Sequence, residues 1–324
     1  MNRHSEQKQI ARQGVGIYQN SYQGIIELKG EDRLQFLHNQ TTNEIKSLNA
    51  GQGCQAVFVN STGRTLDLAT VYVTEETVLL LVSAQRTQFL MEWLDRYLFP
   101  MDRVTLNNVS DIYTVYTLMG EKSAGLLEQF GLKMSLEQPF GTHEIVTIQE
   151  TSVRLAVGTN IALPGYTLIV ASEPASSLQA TLTEAGAIPI SEAIWEELSL
   201  EQGRPLPDYE LTEDYNPLEA GLWEAISFDK GCYIGQETIA RLNTYQGVKQ
   251  RLWGLRLSQA VAPETPITLD GKKVGKLTRV LATEEGVKGL GYIRSKAGGE
   301  GLTVQIGEAE ADVVAVPFLT HPQS

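Results

Sequence analysis

After residue 247 the sequence stops alternating helices with strands. "QRLWGLRLS", "PITLDGKKVGKLTRVLAT", "GVKGLGYIRS" and "LTVQIGEAEADVVAVPFL" are short apolar-alternating runs divided by turn residues, with Asp270-Gly271 as a hairpin signal. Such a tail closes on itself as a small β-barrel or sandwich. Upstream the pattern is mixed. "GIIELKGEDRLQFL" predicts a strand and then a helix entered at Gly30, with acids in its first turn. "GCQAVFVNSTGRTLDLATVYVTEETVLLLVS" predicts three strands separated by "NSTGR" and "TEET". "AQRTQFLMEWLDRYLF" places Phe89, Leu90, Trp93, Leu94 and Leu98 at helical spacing, with Pro100 just beyond. A second strand–helix series follows from "DIYTVYTLMG", and "SEAIWEELSLEQGRPLP" is a helix with Ser191 as its cap and Gly203 at its end.

A chain of 324 residues exceeds one ordinary core. The expected division is 15–108 and 109–246, two α+β domains with antiparallel sheets whose element order hints at a duplication, and 247–324, the small β domain.

Charge and cysteine content remove several function classes. A formal net charge of -13 argues against broad nucleic-acid binding, which needs a basic surface to displace counterions. It leaves room for a local basic pocket. Two cysteines, Cys54 and Cys232, make no disulfide framework and fit a reducing compartment. The first residues lack the apolar core of a secretory signal, and runs such as "TVLLLVSA" are too short to span a bilayer, so a cytoplasmic or organelle-matrix protein is expected. The four histidines are scattered, and no zinc, P-loop, nucleophile-elbow or dinucleotide motif occurs, so no metal site is expected.

Two places carry possible chemistry. Ile194, Leu198 and Glu201 share one helix face, which turns a carboxylate inward at the helix end where the dipole disfavours it. It needs a donor: an internal cation such as Arg204 or Arg241, or a ligand with N–H groups. Cys232 lies in "KGCYIGQE", just ahead of a short helix opening at Gly235 and Gln236. A thiol there, near Lys230, can be reactive or simply a small packed hydrophobe. Tyr233 can be a core anchor or a lid over a flat ligand. Cys54 is expected to be structural.

"FDKGCYIGQETIAR" resembles the signature of the YgfZ-type folate-binding proteins, relatives of the glycine cleavage T-protein (an aminomethyltransferase); Lys230 to Glu237 match every fixed position of K-G-C-Y-x-G-Q-E. "GEDRLQFLHNQTTNEIKSLNAGQGCQAVFVNSTGRTLD", "LEQGRPLPDYEL", "KKVGKLTRV" and "GLGYI" extend the similarity over nearly the whole chain. The resemblance implies a three-domain ring around a pocket for tetrahydrofolate or a derivative, in which the first two domains are related and the third is a barrel. Glu201 would hold the pteridine, Cys232 would be the essential thiol, and Lys230 and Arg241 would meet the glutamyl tail. Tyr233 and Gln236 would line the same site, Gln236 standing where the T-protein has an arginine.

One departure bears on activity. The T-protein's catalytic aspartate aligns with Phe89, and Asp95 lies on another face of that helix. The resemblance therefore implies an accessory protein for iron–sulfur cluster assembly or repair, acting with assembly proteins or client enzymes, including those that modify tRNA. The alternative is a folate-dependent aminomethyltransferase or demethylase.

Overall fold

The computed structural model describes residues 3–245 and 247–321. It divides into two units: Met1–Ala56 with Ala69–Trp195, and Val57–Leu68 with Glu196–Ser324.

The first unit opens with α1 (Arg3–Gln13), β1 (Gly16–Gln19), β2 (Gln23–Lys29) and α2 (Arg33–Gln40). Next come β3 (Gln52–Val59), β4 (Thr65–Val73), β5 (Thr77–Ser83), α3 (Thr87–Asp95) and β6 (Thr105–Asn108). A second series holds β7 (Tyr113–Met119), α4 (Ser123–Glu128), β8 (His143–Ile148), β9 (Thr151–Val157), β10 (Gly165–Ala171), α5 (Ala175–Glu184) and β11 (Ile188–Pro189). Two sheets result, in the orders β3-β4-β5-β2-β6 and β11-β1-β7-β10-β9-β8. Antiparallel pairing dominates both, while β1 and β11 run parallel. On one face of the second sheet, Ile17, Tyr116, Leu155, Tyr166 and Leu168 bury Leu126 and Leu127 of α4 and Leu178 and Leu182 of α5. Removing that area from water supplies most of the driving force.

The entry to α2 departs from its sequence reading. The helix begins at Arg33, not Gly30, and Glu31 and Asp32 lie ahead of its first turn. Both acids pair with Arg103, Asp32 at 3.0 Å. The Arg103 hydrogen bonds hold the Asp32 carboxyl below the usual carboxylate range. A specific guanidinium outweighs the diffuse attraction of a helix dipole. In α3, Leu90, Trp93 and Leu94 are buried, Phe89 is half-exposed, and Leu98 falls past the helix end.

The second unit takes the hairpin end of β3–β4, the C-terminal part of α6 (Glu192–Gln202), and α7 (Gln236–Thr244). Ser191 Oγ accepts from Ile194 N–H at 3.4 Å, as a helix cap should, and Gly203 ends α6 at φ 84°. Six strands follow: β12 (Gln250–Leu257), β13 (Pro266–Leu269), β14 (Lys272–Thr283), β15 (Gly286–Arg294), β16 (Thr303–Ile306) and β17 (Ala309–Val314). They close a barrel in the order β12-β15-β14-β13-β16-β17. Asp270 and Gly271 both take positive φ, 50° and 74°, the geometry of the hairpin turn that the Asp-Gly pair predicts.

β12 shows how period two builds this unit. Trp253, Leu255 and Leu257 fill the barrel interior, while Leu252 faces a second core with Leu200, Tyr215, Leu218, Tyr233 and Ile239. The architecture is mixed α+β with antiparallel sheets, as the sequence pattern implies, and of the two tails that pattern allowed, barrel or sandwich, the structure has the closed barrel.

Candidate functional site

The stretch from Lys230 to Gln236 forms one closed turn leading into α7. Gly235, the residue before α7, sits at φ 80°. A Cβ on it would come within 2.6 Å of the Asn60 carbonyl oxygen and 2.9 Å of Gly63 Cα. Handedness and contact distance therefore both require glycine. The facing hairpin is itself braced: Asn60 Oδ1 accepts from the N–H groups of Thr62 and Arg64, each at 3.0 Å. Gln236 Nε2 reaches back to the carbonyls of Lys230 and Gly231, both at 3.4 Å.

Burial alternates within the turn. Lys230 and Tyr233 point inward, 6% and 8% exposed, while Gly231 and Cys232 are exposed. The Lys230 ammonium lies 4.9 Å from the centre of the Tyr233 ring. Burial pushes the Tyr233 phenol up to about 12, so it stays neutral at physiological pH. Tyr233 is thus a core anchor, in one apolar cluster with Ile239 of α7. Arg241 is exposed in the last turn of α7, where a cation suits the helix dipole. Cys54 is half-buried in β3.

Glu201 ends α6 with its side chain 6% exposed, and Ile194 and Leu198 on the same face are buried. The carboxylate faces inward, as the helical spacing predicts, and Lys288 of β15 donates to it. The same ammonium reaches Glu285 at 2.9 Å. Glu197, one turn earlier and 2% exposed, brings a third carboxylate, and ligand oxygens of Glu197, Glu201 and Glu285 lie within 4.8 Å of one another. Three such groups could hold a cation, and Lys288 supplies one. The Glu197–Glu201 spacing of i, i+4 was readable in the sequence; Lys288 was not, because a barrel strand delivers it.

The chain gathers Lys230, Cys232, Tyr233 and Gln236 in one turn and sets Glu201 against β15. Just ahead of α3, the Arg86 guanidinium lies 5.6 Å from the ring centre of Phe89 on that helix, and Asp95 is exposed at its far end.

The family model for the GCVT N-terminal domain matches residues 2–230. The chain belongs to the GCVT-domain family. A chloroplastic protein of Arabidopsis thaliana, named only as a candidate transferase, is 43% identical over 96% of this chain and 73% of its own length. An aminomethyltransferase of Bacillus pumilus is 27% identical, covering 97% of this chain and 89% of its own. In fold, the chain is similar to the crystal structure of the glycine cleavage system aminomethyltransferase T from Bartonella henselae, with a TM-score of 0.82 at 20% identity over 98% of this chain and 89% of that one. No helix among the described residues is long and apolar enough to cross a membrane.

Proposed function

We propose that this family member is a tetrahydrofolate-binding accessory protein that supports iron–sulfur cluster assembly or repair and, through it, tRNA-modifying enzymes. The observation that carries the reading is the placement of Cys232, a thiol exposed between two buried anchors, Lys230 and Tyr233. A packing cysteine would be buried; a thiol held outward on a braced turn is available to a partner. The resemblance of Lys230–Glu237 to the YgfZ-type signature supports the same role.

The residues present fit a reduced pteridine. Glu201 is a recessed carboxylate whose cation is shared with Glu285, so ring N–H donors can replace the ammonium while Lys288 stays paired. Arg241 and Lys230 are the cations for the anionic glutamyl tail, and Tyr233 and Gln236 hold the turn from which they act. The same reading divides the chain into three working parts, 15–108, 109–246 and 247–324.

Calorimetric titration with tetrahydrofolate tests the ligand: saturable binding, weakened at least tenfold, about 1.4 kcal/mol, in Glu201→Ala, is expected. No binding at high micromolar folate would overturn it. Complementation tests the thiol. Cys232→Ser should fold normally yet fail to restore iron–sulfur enzyme activity, and full rescue would leave Cys232 without the proposed role.

A second reading, a folate-dependent aminomethyltransferase or demethylase, is favoured by the name of the Bacillus pumilus relative. Phe89 weighs against it, since an apolar ring neither accepts a proton nor steadies a cationic aminomethyl group. Robust one-carbon transfer from an aminomethylated lipoyl carrier or an N-methyl amine would decide in its favour.

A further inference from the structure

The second unit contains a cleft of about 1240 Å³ whose lining includes none of Glu201, Lys230, Cys232, Tyr233, Gln236 or Arg241. Five cationic side chains face it, Arg64, Lys249, Arg251, Arg294 and Lys296, against three acidic ones, Asp214, Glu219 and Glu300. On a chain of net charge -13, that local excess runs against the composition. Glu219 is already engaged: its carboxylate accepts from Asn216 N–H at 3.2 Å and lies 3.7 Å from Arg64. Among the described residues, Arg251, Arg294 and Lys296 form no ion pair.

Two segments carry these cations side by side. β12 pairs with β15 so that Gln250 stands opposite Arg294. Ser295 then ties the strands' ends, donating from its N–H to the Lys249 carbonyl at 2.9 Å and from Oγ to the Val248 carbonyl at 2.8 Å. Trp253 of β12 also lines the cleft; it is 8% exposed, and its buried indole N–H has no acceptor among the described residues. A Cβ on Gly299 would fall 2.8 Å from Cε2, the ring carbon bonded to that nitrogen, and 2.3 Å from Cζ2. The benzene-ring edge of the indole, from Cε2 through Cζ2 to Cη2, therefore packs against the glycine ledge that lines the cleft. A buried donor without a partner is destabilising, and an incoming oxygen would relieve that.

We propose that this cleft binds a small organic polyanion bearing two or more phosphate or carboxylate groups. One anionic oxygen accepts from Trp253 Nε1, and Lys249, Arg251, Arg294 and Lys296 meet the remaining charge. A recessed donor beside a glycine ledge selects a small ligand, and the acidic remainder of the chain disfavours a nucleic-acid polymer. The site is independent of the folate reading.

Titration of the full chain with sodium tripolyphosphate, and separately with tri-glutamate, tests it, followed by calorimetry and tryptophan emission. Saturable binding of at least one probe is expected, weakening steeply between about 50 and 200 mM salt. Tripolyphosphate alone would identify a phosphorylated ligand, tri-glutamate alone a polycarboxylate, and both the shared chemistry. Arg251→Gln and Arg294→Gln should each weaken binding roughly tenfold, about 1.4 kcal/mol, and Glu201→Ala should leave it unchanged. Trp253→Phe should weaken it further at constant charge, and the exposed Arg294→Gln keeps the test open if that core variant does not fold. Absence of binding to about 1 mM at low salt, or binding indifferent to both arginine variants, would overturn the proposal.

Discussion

Glu201 and Glu210 are two recessed carboxylates from neighbouring stretches of chain, both met by cations from barrel strands, and they are built differently. Glu210, 0% exposed, accepts from Leu206 N–H at 3.1 Å, Thr278 Oγ1 at 2.6 Å and Arg279 Nε at 3.0 Å. Arg279 is fixed at its other end by the Arg204 carbonyl at 2.6 Å, and Tyr292 donates to the Glu210 carbonyl at 2.8 Å. Every donor in this set is itself anchored. Glu201 is met instead by Lys288, an ammonium on a flexible stem that also serves Glu285. A planar guanidinium with a second fixed bond holds one geometry, whereas an ammonium can turn between two carboxylates. Recession alone does not mark a ligand site; the ligand role proposed for Glu201 rests on the mobility of its donor, where Glu210 is held by anchored ones.

The largest expected effect breaks the rigid member. Glu210→Gln leaves the largely buried Arg279, 12% exposed, without its counter-charge and should cost about 3–5 kcal/mol, read as a lower urea midpoint. A loss below about 1 kcal/mol would erase the distinction between the two carboxylates.

The next effect fixes the conditions for the comparison. His143, 3% exposed in β8, is held down to about 4, first by burial and then by the neighbouring Arg154 charge. Its folded value lies below the free imidazole value of 6.5, so on acidification the unfolded chain takes the proton first. The stability it contributes is complete above pH 6.5 and lost as pH falls toward 4, roughly 3 kcal/mol in all. His143→Asn should flatten that acid limb while leaving the slope above pH 7 unchanged, and the two glutamates are best compared there.

The smallest expected effect sharpens the exchangeable member. Glu201→Gln should shift stability by about 1 kcal/mol or less, because Lys288 keeps Glu285 and can reach solvent. A loss as large as that of Glu210→Gln would make Glu201 structural and remove it from ligand binding.

How much was legible follows from the range of each interaction. The α6 cap, its inward-turned glutamate, the Asp270-Gly271 hairpin and the αL glycine before α7 are local, set by spacing and by backbone preference. The α2 entry was misplaced because Arg103, far along the chain in the loop before β6, captures the acids that a local rule assigns to a helix start. β8, β1 and α1 were not read as elements at all, since their apolar content becomes meaningful only against partner strands. Cys232 was left open between packed and exposed because alternation within an irregular turn has no period to read.

The sequence by itself determined most of the element types, the all-β tail and the family to which the chain belongs, because these rest on periodicity, turn chemistry and matched residues. Only the tertiary structure decided what each carboxylate and cation meets. Lys288 at Glu201, Arg279 at Glu210, and Arg251 and Arg294 in the cleft are all delivered by barrel strands. Electrostatic partners act across space, and no local pattern along a chain records which strand will bring a charge into reach.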